Sequence, residues 1–146
     1  MLYDIKNEIE NPTVRRLVSE SAWDKSDEAM DKKAAEFIRR DDLQLYGWLE
    51  SGEVSGVCGV EVHSDCVVIN NIAVCTDTRN RGIGRAMISA LQQIYETTIM
   101  AETDDDAVDF YRKCGFVTEG FMKTYGDVDY KRYKCVLYTD QPTVNT

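Results

Sequence analysis

The chain predicts an α/β (α+β) fold: a mixed, mostly antiparallel twisted sheet of about seven strands, with helices on both faces. Period-two hydrophobic alternation begins at residue 43 and opens a run of three strands reaching residue 74, which calls for a meander because successive side chains on a strand face opposite ways. Residues 66–103 read strand, helix, strand, and such a crossover makes its two strands parallel. At 146 residues and 43% hydrophobic side chains, the chain holds one core and leaves no room for two. Residues 1–138 are therefore read as a single domain and 139–146 as a polar tail.

A short strand at residues 2–5 opens the chain, and Asn11-Pro12 follows as a helix cap with proline in the first turn. Val14, Leu17, Val18 and Ala22 then recur at helical spacing. Ser26-Asp27-Glu28 starts a second helix, with Met30, Ala34, Phe37 and Ile38 on one face and Arg39-Arg40 in the last turn, where the dipole favours cations. Leu43, Leu45, Gly47 and Leu49 alternate with Gln44, Tyr46, Trp48 and Glu50 up to a Ser51-Gly52 turn, which predicts a hairpin with residues 54–63. The strand at 66–74 is nearly all apolar, as suits a central position. A helix carrying Ile83, Met87, Ala90, Leu91 and Ile94 leads to a strand at 98–103, then a helix from about 105 to 114. Strands at 116–125 and 130–138 close the fold around Gly126-Asp127.

Seventeen basic and 26 acidic residues leave a formal charge of -9, a field that repels nucleic acid and anionic membranes. Neither is expected as a partner. No apolar run nears the roughly 20 residues that span a bilayer, and the start lacks a signal-peptide pattern, so a cytoplasmic protein is expected. The five cysteines include no C-x-x-C pair, which argues against a disulfide framework or zinc site. Asp104-Asp105-Asp106 opens a helix that ends in Arg112-Lys113 and Gly115, the charge order a helix dipole favours, and no metal site is expected.

The most informative segment is Arg79-Asn80-Arg81-Gly82-Ile83-Gly84-Arg85, where a strand gives way to a helix. Free N–H groups at a helix start, approached through glycines without Cβ, make an anion cradle. A dinucleotide fingerprint would need a small residue where Met87 stands, and a Walker loop would need Gly-Lys-Ser/Thr.

With Asn71-Ile72-Ala73-Val74 before this loop and Ala107-Val108-Asp109-Phe110-Tyr111-Arg112-Lys113-Cys114-Gly115-Phe116 after it, the chain resembles the GCN5-related N-acetyltransferase (GNAT) superfamily. It departs from the family pattern at Asp104, where many members carry asparagine, and in having no acidic residue between Cys66 and Val74. The resemblance implies a GNAT-like sheet and acetyl-CoA as co-substrate. Main-chain groups of Ile72 and Val74 would pair with the pantetheine arm, and the amides of Arg81, Gly82, Ile83, Gly84 and Arg85 would hold the pyrophosphate. Arg79 and Arg85 would add charge-assisted contacts, and Ala73 and Asn80 would complete the cofactor-binding set. It also implies that Tyr111 protonates the departing thiolate, a role open to a phenol, which is protonated at neutral pH.

For the base that takes the amine's proton, the candidates are Glu102, Glu61, His63, or a water held by Asn70 or Asn71. Direct attack by the amine in a ternary complex is expected, since Cys114 sits at a helix C-terminus that opposes a thiolate. The acceptor is expected to be a primary amine, on a small molecule or a peptide amino terminus, met by the first two helices and the last turn. Asp127, Asp129, Tyr125, Tyr130, Tyr46 and Trp48 offer anionic and aromatic surface for it. A non-catalytic CoA-binding sensor is the alternative, and an unpaired sheet edge offers itself to a second copy as a homodimer.

Overall fold

The computed structural model describes residues 1–79 and 81–139; Asn80 and residues 140–146, nearly all of the expected tail, lie outside the described residues. Strands β2 (Leu43–Glu50), β3 (Glu53–Val62) and β4 (Cys66–Val74) form the expected antiparallel meander. Ser51 and Gly52 turn the first hairpin at φ of 53° and 81°, the left-handed pair whose twist matches that of the flanking strands. With β1 (Leu2–Asp4), β5 (Thr98–Thr103), β6 (Val117–Tyr125) and β7 (Val128–Leu137), the sheet has seven strands in the order β1-β2-β3-β4-β5-β7-β6. The β4–β5 neighbours are parallel and the other neighbours antiparallel.

Helices α1 (Pro12–Glu20) and α2 (Asp27–Arg39) cover one face of the sheet, while α3 (Ile83–Tyr95) and α4 (Val108–Lys113) cover the other. Each of the first two starts where its cap dictates. Asn11 Oδ1 accepts from the Thr13 amide at 3.0 Å and the Val14 amide at 3.4 Å, and Ser26 Oγ accepts from Ala29 at 3.2 Å. Val14, Leu17, Val18, Ala34 and Phe37 pack on Leu43, Leu45 and Val57, while Met87, Ile88, Leu91, Val108 and Tyr111 pack on Val60, Val67 and Ile99. Alternate residues of the inner strands thus feed two separate cores.

Periodicity erred at the helix margins. Ile38 is 66% exposed, since Met30, Ala34 and Phe37 complete the buried stripe, and Ile94 is 48% exposed in the last turn beyond Leu91. Helix α4 begins at Val108 and not near 105, because Asp104 Oδ1 accepts from the amides of Asp106 and Ala107 at 3.0 and 3.1 Å and holds 104–107 as a turn.

One irregularity positions the site. The β3–β4 register slips between Gly59 and Val60, leaving Asn70 as an extra residue, and such a bulge bends its strand. Pairing of β4 with β5 runs only from Cys66↔Thr98 to Ile69↔Ala101. Beyond it the strands part, and residues 70–74 have β3 on one side and no strand on the other.

Candidate active site

The parted strands open a cleft of about 610 Å³ beside the N-terminus of α3. Ile72, Ala73 and Val74 line it from the free edge of β4, and Gly82, Ile83, Gly84 and Arg85 line it from the helix start. Gly82 caps the helix at φ 77°, a left-handed conformation that L side chains rarely adopt. Gly84 is needed for another reason: a Cβ there would stand 2.8 Å from Cε1 of Phe110, so its bare backbone lets α4 lie against α3. An open strand edge offers main-chain donors and acceptors, and a helix start offers unpaired amides. An extended amide-bearing arm that ends in an anion fits both.

The cations of the loop are differently engaged. Arg79 donates from Nε to the Val74 carbonyl at 3.2 Å and meets Glu20 Oε1 at 3.3 Å, while Arg81 meets Glu50 at 3.5 Å. Arg85 and Lys113 line the cleft as well, and Glu20 is its one carboxylate among the described residues. The rim is therefore basic on a chain whose net charge is -9. Sequence reasoning missed Glu20, Thr78, Phe110 and Lys113 as lining residues. For Glu20 no local signal exists, because only the packing of α1 on the sheet brings it there.

Tyr111 sits at the inner wall of the cleft, 5% exposed and edge-on to Phe110 and Phe116 at 5.1 and 5.2 Å between ring centroids. Burial, with a smaller push from Cys58, Cys135, Cys114 and Asp104, raises its phenol well above the usual value. It stays protonated throughout the neutral range. Among the described residues no hydrogen bond reaches its hydroxyl.

The base candidates lie elsewhere. On β5 the side chains alternate, so Ala101 and Thr103 are buried while Glu102 is exposed on the opposite face, accepting from Arg132 Nε at 3.0 Å and Lys123 Nζ at 3.4 Å. Glu61 meets His63 at 2.7 Å and Arg40 at 3.2 Å, further down β3 from the stretch that borders the cleft. Asn70 is exposed at the bulge, and buried Asn71 donates from Nδ2 to Ser21 Oγ at 3.0 Å. Cys114 borders the cleft, but burial raises its thiol against the opposing pull of Arg85, and burial pushes Cys58 up to about 12. No group of three or more His, Cys, Asp or Glu among the described residues is arranged to hold a metal.

On the Glu102 face, an exposed aromatic cluster joins the α1–α2 loop to the last hairpin. Trp23 stacks on Tyr125 at 6.4 Å and meets Tyr130 edge-on at 6.0 Å, and Lys123 Nζ lies 5.5 Å from the Tyr125 centroid. Tyr125 and Tyr130 thus sit together, 5.5 Å between centroids, with Trp23 as a member the sequence reading missed. Tyr46 and Trp48 do not join them: they pack into the core under α3 and α4, where Tyr46 bonds the Tyr95 hydroxyl at 2.6 Å. No helix among the described residues is long and apolar enough to cross a membrane.

The comparisons with known proteins agree with this architecture. Residues 7–116 match the model of the Acetyltransferase (GNAT) family. An uncharacterized N-acetyltransferase from Bacillus methanolicus is 32% identical over 80 residues, which span 54% of this chain and 66% of that relative. Among solved structures, an aminoglycoside 6'-N-acetyltransferase complexed with coenzyme A superposes with a TM-score of 0.76 at 12% identity, covering 97% of this chain and 98% of that one. A ribosomal-protein alanine N-acetyltransferase from Escherichia coli gives 0.71 at 17% identity, covering 100% and 97%. The chain belongs to the GNAT acetyltransferase family.

Proposed function

We propose that the protein moves the acetyl group of acetyl-CoA to a primary amine by direct attack. The observation that carries this reading is a single cleft joining the free β4 edge, the start of α3 and the Tyr111 phenol. The amides from Arg81 to Arg85 hold the diphosphate, and the main-chain groups of Ile72 and Val74 pair with the pantetheine arm. Arg79 must then exchange the Val74 carbonyl and Glu20 for phosphate, whereas Arg85 is already at hand.

The amine nitrogen bonds to the thioester carbon, the carbon–sulfur bond breaks, and the thiol leaves with the net proton that the amine gives up. Tyr111 acts as general acid at the sulfur. A thiol's reference pKa is about 8.5 and a phenol's about 10, and burial raises Tyr111 further. Its hydrogen bond to the forming thiolate therefore carries most of the stabilisation.

Glu102 is the proposed base, reached from the face opposite α3, and it must exchange at least one of its two cations for the amine. The acceptor, a small-molecule amine or a peptide amino terminus, approaches over Trp23, Tyr125 and Tyr130, whose ring faces attract an ammonium. Structural relatives include a spermidine N-acetyltransferase from Vibrio cholerae and the aminoglycoside enzyme, both of which act on cationic amines by their names. The second reading, a CoA sensor without turnover, is favoured by the double pairing of Glu102.

Thiol release from acetyl-CoA across a panel of amines, with products identified by mass spectrometry, separates the two. Turnover with at least one amine is expected. CoA binding without turnover on any amine would favour the sensor.

A further inference from the structure

Strand β6 is the outer edge of the sheet, paired to β7 alone, and it runs nine residues with no proline and no slip in its β6–β7 register. Val117 and Met122 stand 60% and 61% exposed along it, and Tyr125 48%. An edge this long and regular offers a row of free main-chain groups to another strand, which natural proteins usually blunt.

The side chains of this edge complement themselves. Two copies related by a two-fold axis pair antiparallel, so opposed residue numbers have a constant sum. Centring the pair on Phe121 sets Glu119 against the second copy's Lys123, twice by symmetry, and Val117 against Tyr125. Moving the centre to Gly120 or Met122 sets Glu119 and Lys123 against apolar or aromatic side chains in both cases.

The fold extends this pattern inward. Glu102 lies opposite Lys134, and Lys134 lies opposite Glu119. Adding Lys123 of a second copy continues one row of alternating sign across four strands, on the face that carries Glu102, whereas like charges directly opposite are destabilising.

We infer that the protein forms a two-fold dimer through antiparallel β6–β6 pairing centred on Phe121, making one continuous sheet. It shares Glu102, Lys123 and Tyr125 with the acetyl-transfer reading, and Lys123 must exchange its 3.4 Å contact with Glu102 for Glu119 of the second copy. Nothing in it involves the cleft or Tyr111, and the mass of the chain reports it independently of turnover.

The test is the mass of the full chain in solution by sedimentation over a wide range of concentration, with helix and sheet content of each variant checked by circular dichroism. A dimer is expected. Glu119→Lys or Lys123→Glu alone should weaken it about tenfold, because each places two like-charge pairs across the axis, and the double swap should restore it. Phe121→Cys should give, on mild oxidation, a disulfide-linked peptide joining position 121 of one copy to position 121 of the other, since opposed Cα atoms fall within disulfide reach, and Glu119→Cys should not crosslink through position 119. A monomer at every concentration would overturn the inference. So would a dimer that the single reversals and the double swap leave equally stable, or one that crosslinks through position 119.

Discussion

Gly84 is where helix chemistry and tertiary packing disagree in sign. Gly84→Ala should gain up to about 1 kcal/mol, because alanine loses less backbone freedom in a helix than glycine. Against this, the new Cβ would stand 2.8 Å from Phe110 Cε1 and 3.0 Å from its Cζ, closer than Cβ atoms pack, while Cδ1 is at 3.9 Å. Such overpacking costs about 1–3 kcal/mol, so the variant should lose roughly 0–2 kcal/mol net. Phe110→Leu removes the two offending atoms and keeps the ordinary contact. In that background Gly84→Ala should turn stabilising by up to about 1 kcal/mol. Urea unfolding of the four proteins closes the double-mutant cycle. Additive effects, with Gly84→Ala costing the same in both backgrounds, would refute the claim that this glycine exists to seat α4.

Tyr111→Phe should lower kcat on the order of 10²-fold or more with little change in the KM for acetyl-CoA. It should cost no stability, because it removes a buried hydroxyl that no described residue satisfies; an unchanged rate with lost stability would make the tyrosine a core residue only. Trp23→Ala should raise the KM for an amine acceptor severalfold and leave that for acetyl-CoA alone, and equal effects on both would take the aromatic cluster out of acceptor binding. Stability should fall on the alkaline side. Burial raises the thiol of Cys58 to about 12 and the phenols of Tyr46, Tyr95 and Tyr111 above their usual value. A raised folded-state pKa stabilises fully below the unfolded value and is lost as pH rises through the folded one, so the melting temperature should decline from about pH 8.5 upward. A melting temperature that rises between about pH 9 and 11 would contradict this.

Local pattern carried much of the fold. The strands at 66–74 and 98–103 fall where alternation and apolar content put them, and Asn11 and Ser26 cap the helices they announce. The cleft loop was legible because a strand, two glycines and a helix start lie together in the chain. What was not legible depends on contacts distant in sequence. The bulge at Asn70 arises from the register with β3, and Gly84 meets Phe110 only once α4 folds back. Tyr46 and Trp48 alternate with buried leucines as surface residues would, but this part of the sheet is covered on both faces. Trp23 lies in a connection with no period, and only its stacking on Tyr125 reveals it.

Amide chemical shifts report most directly whether the start of α3 receives the cofactor. With ¹⁵N-labelled protein titrated with CoA, the largest saturable shifts should fall on the amides of Gly82, Ile83, Gly84 and Arg85, with a second set at Ile72 and Val74. Titration that leaves those amides unmoved, or concentrates its shifts on another face of the sheet, would contradict the account.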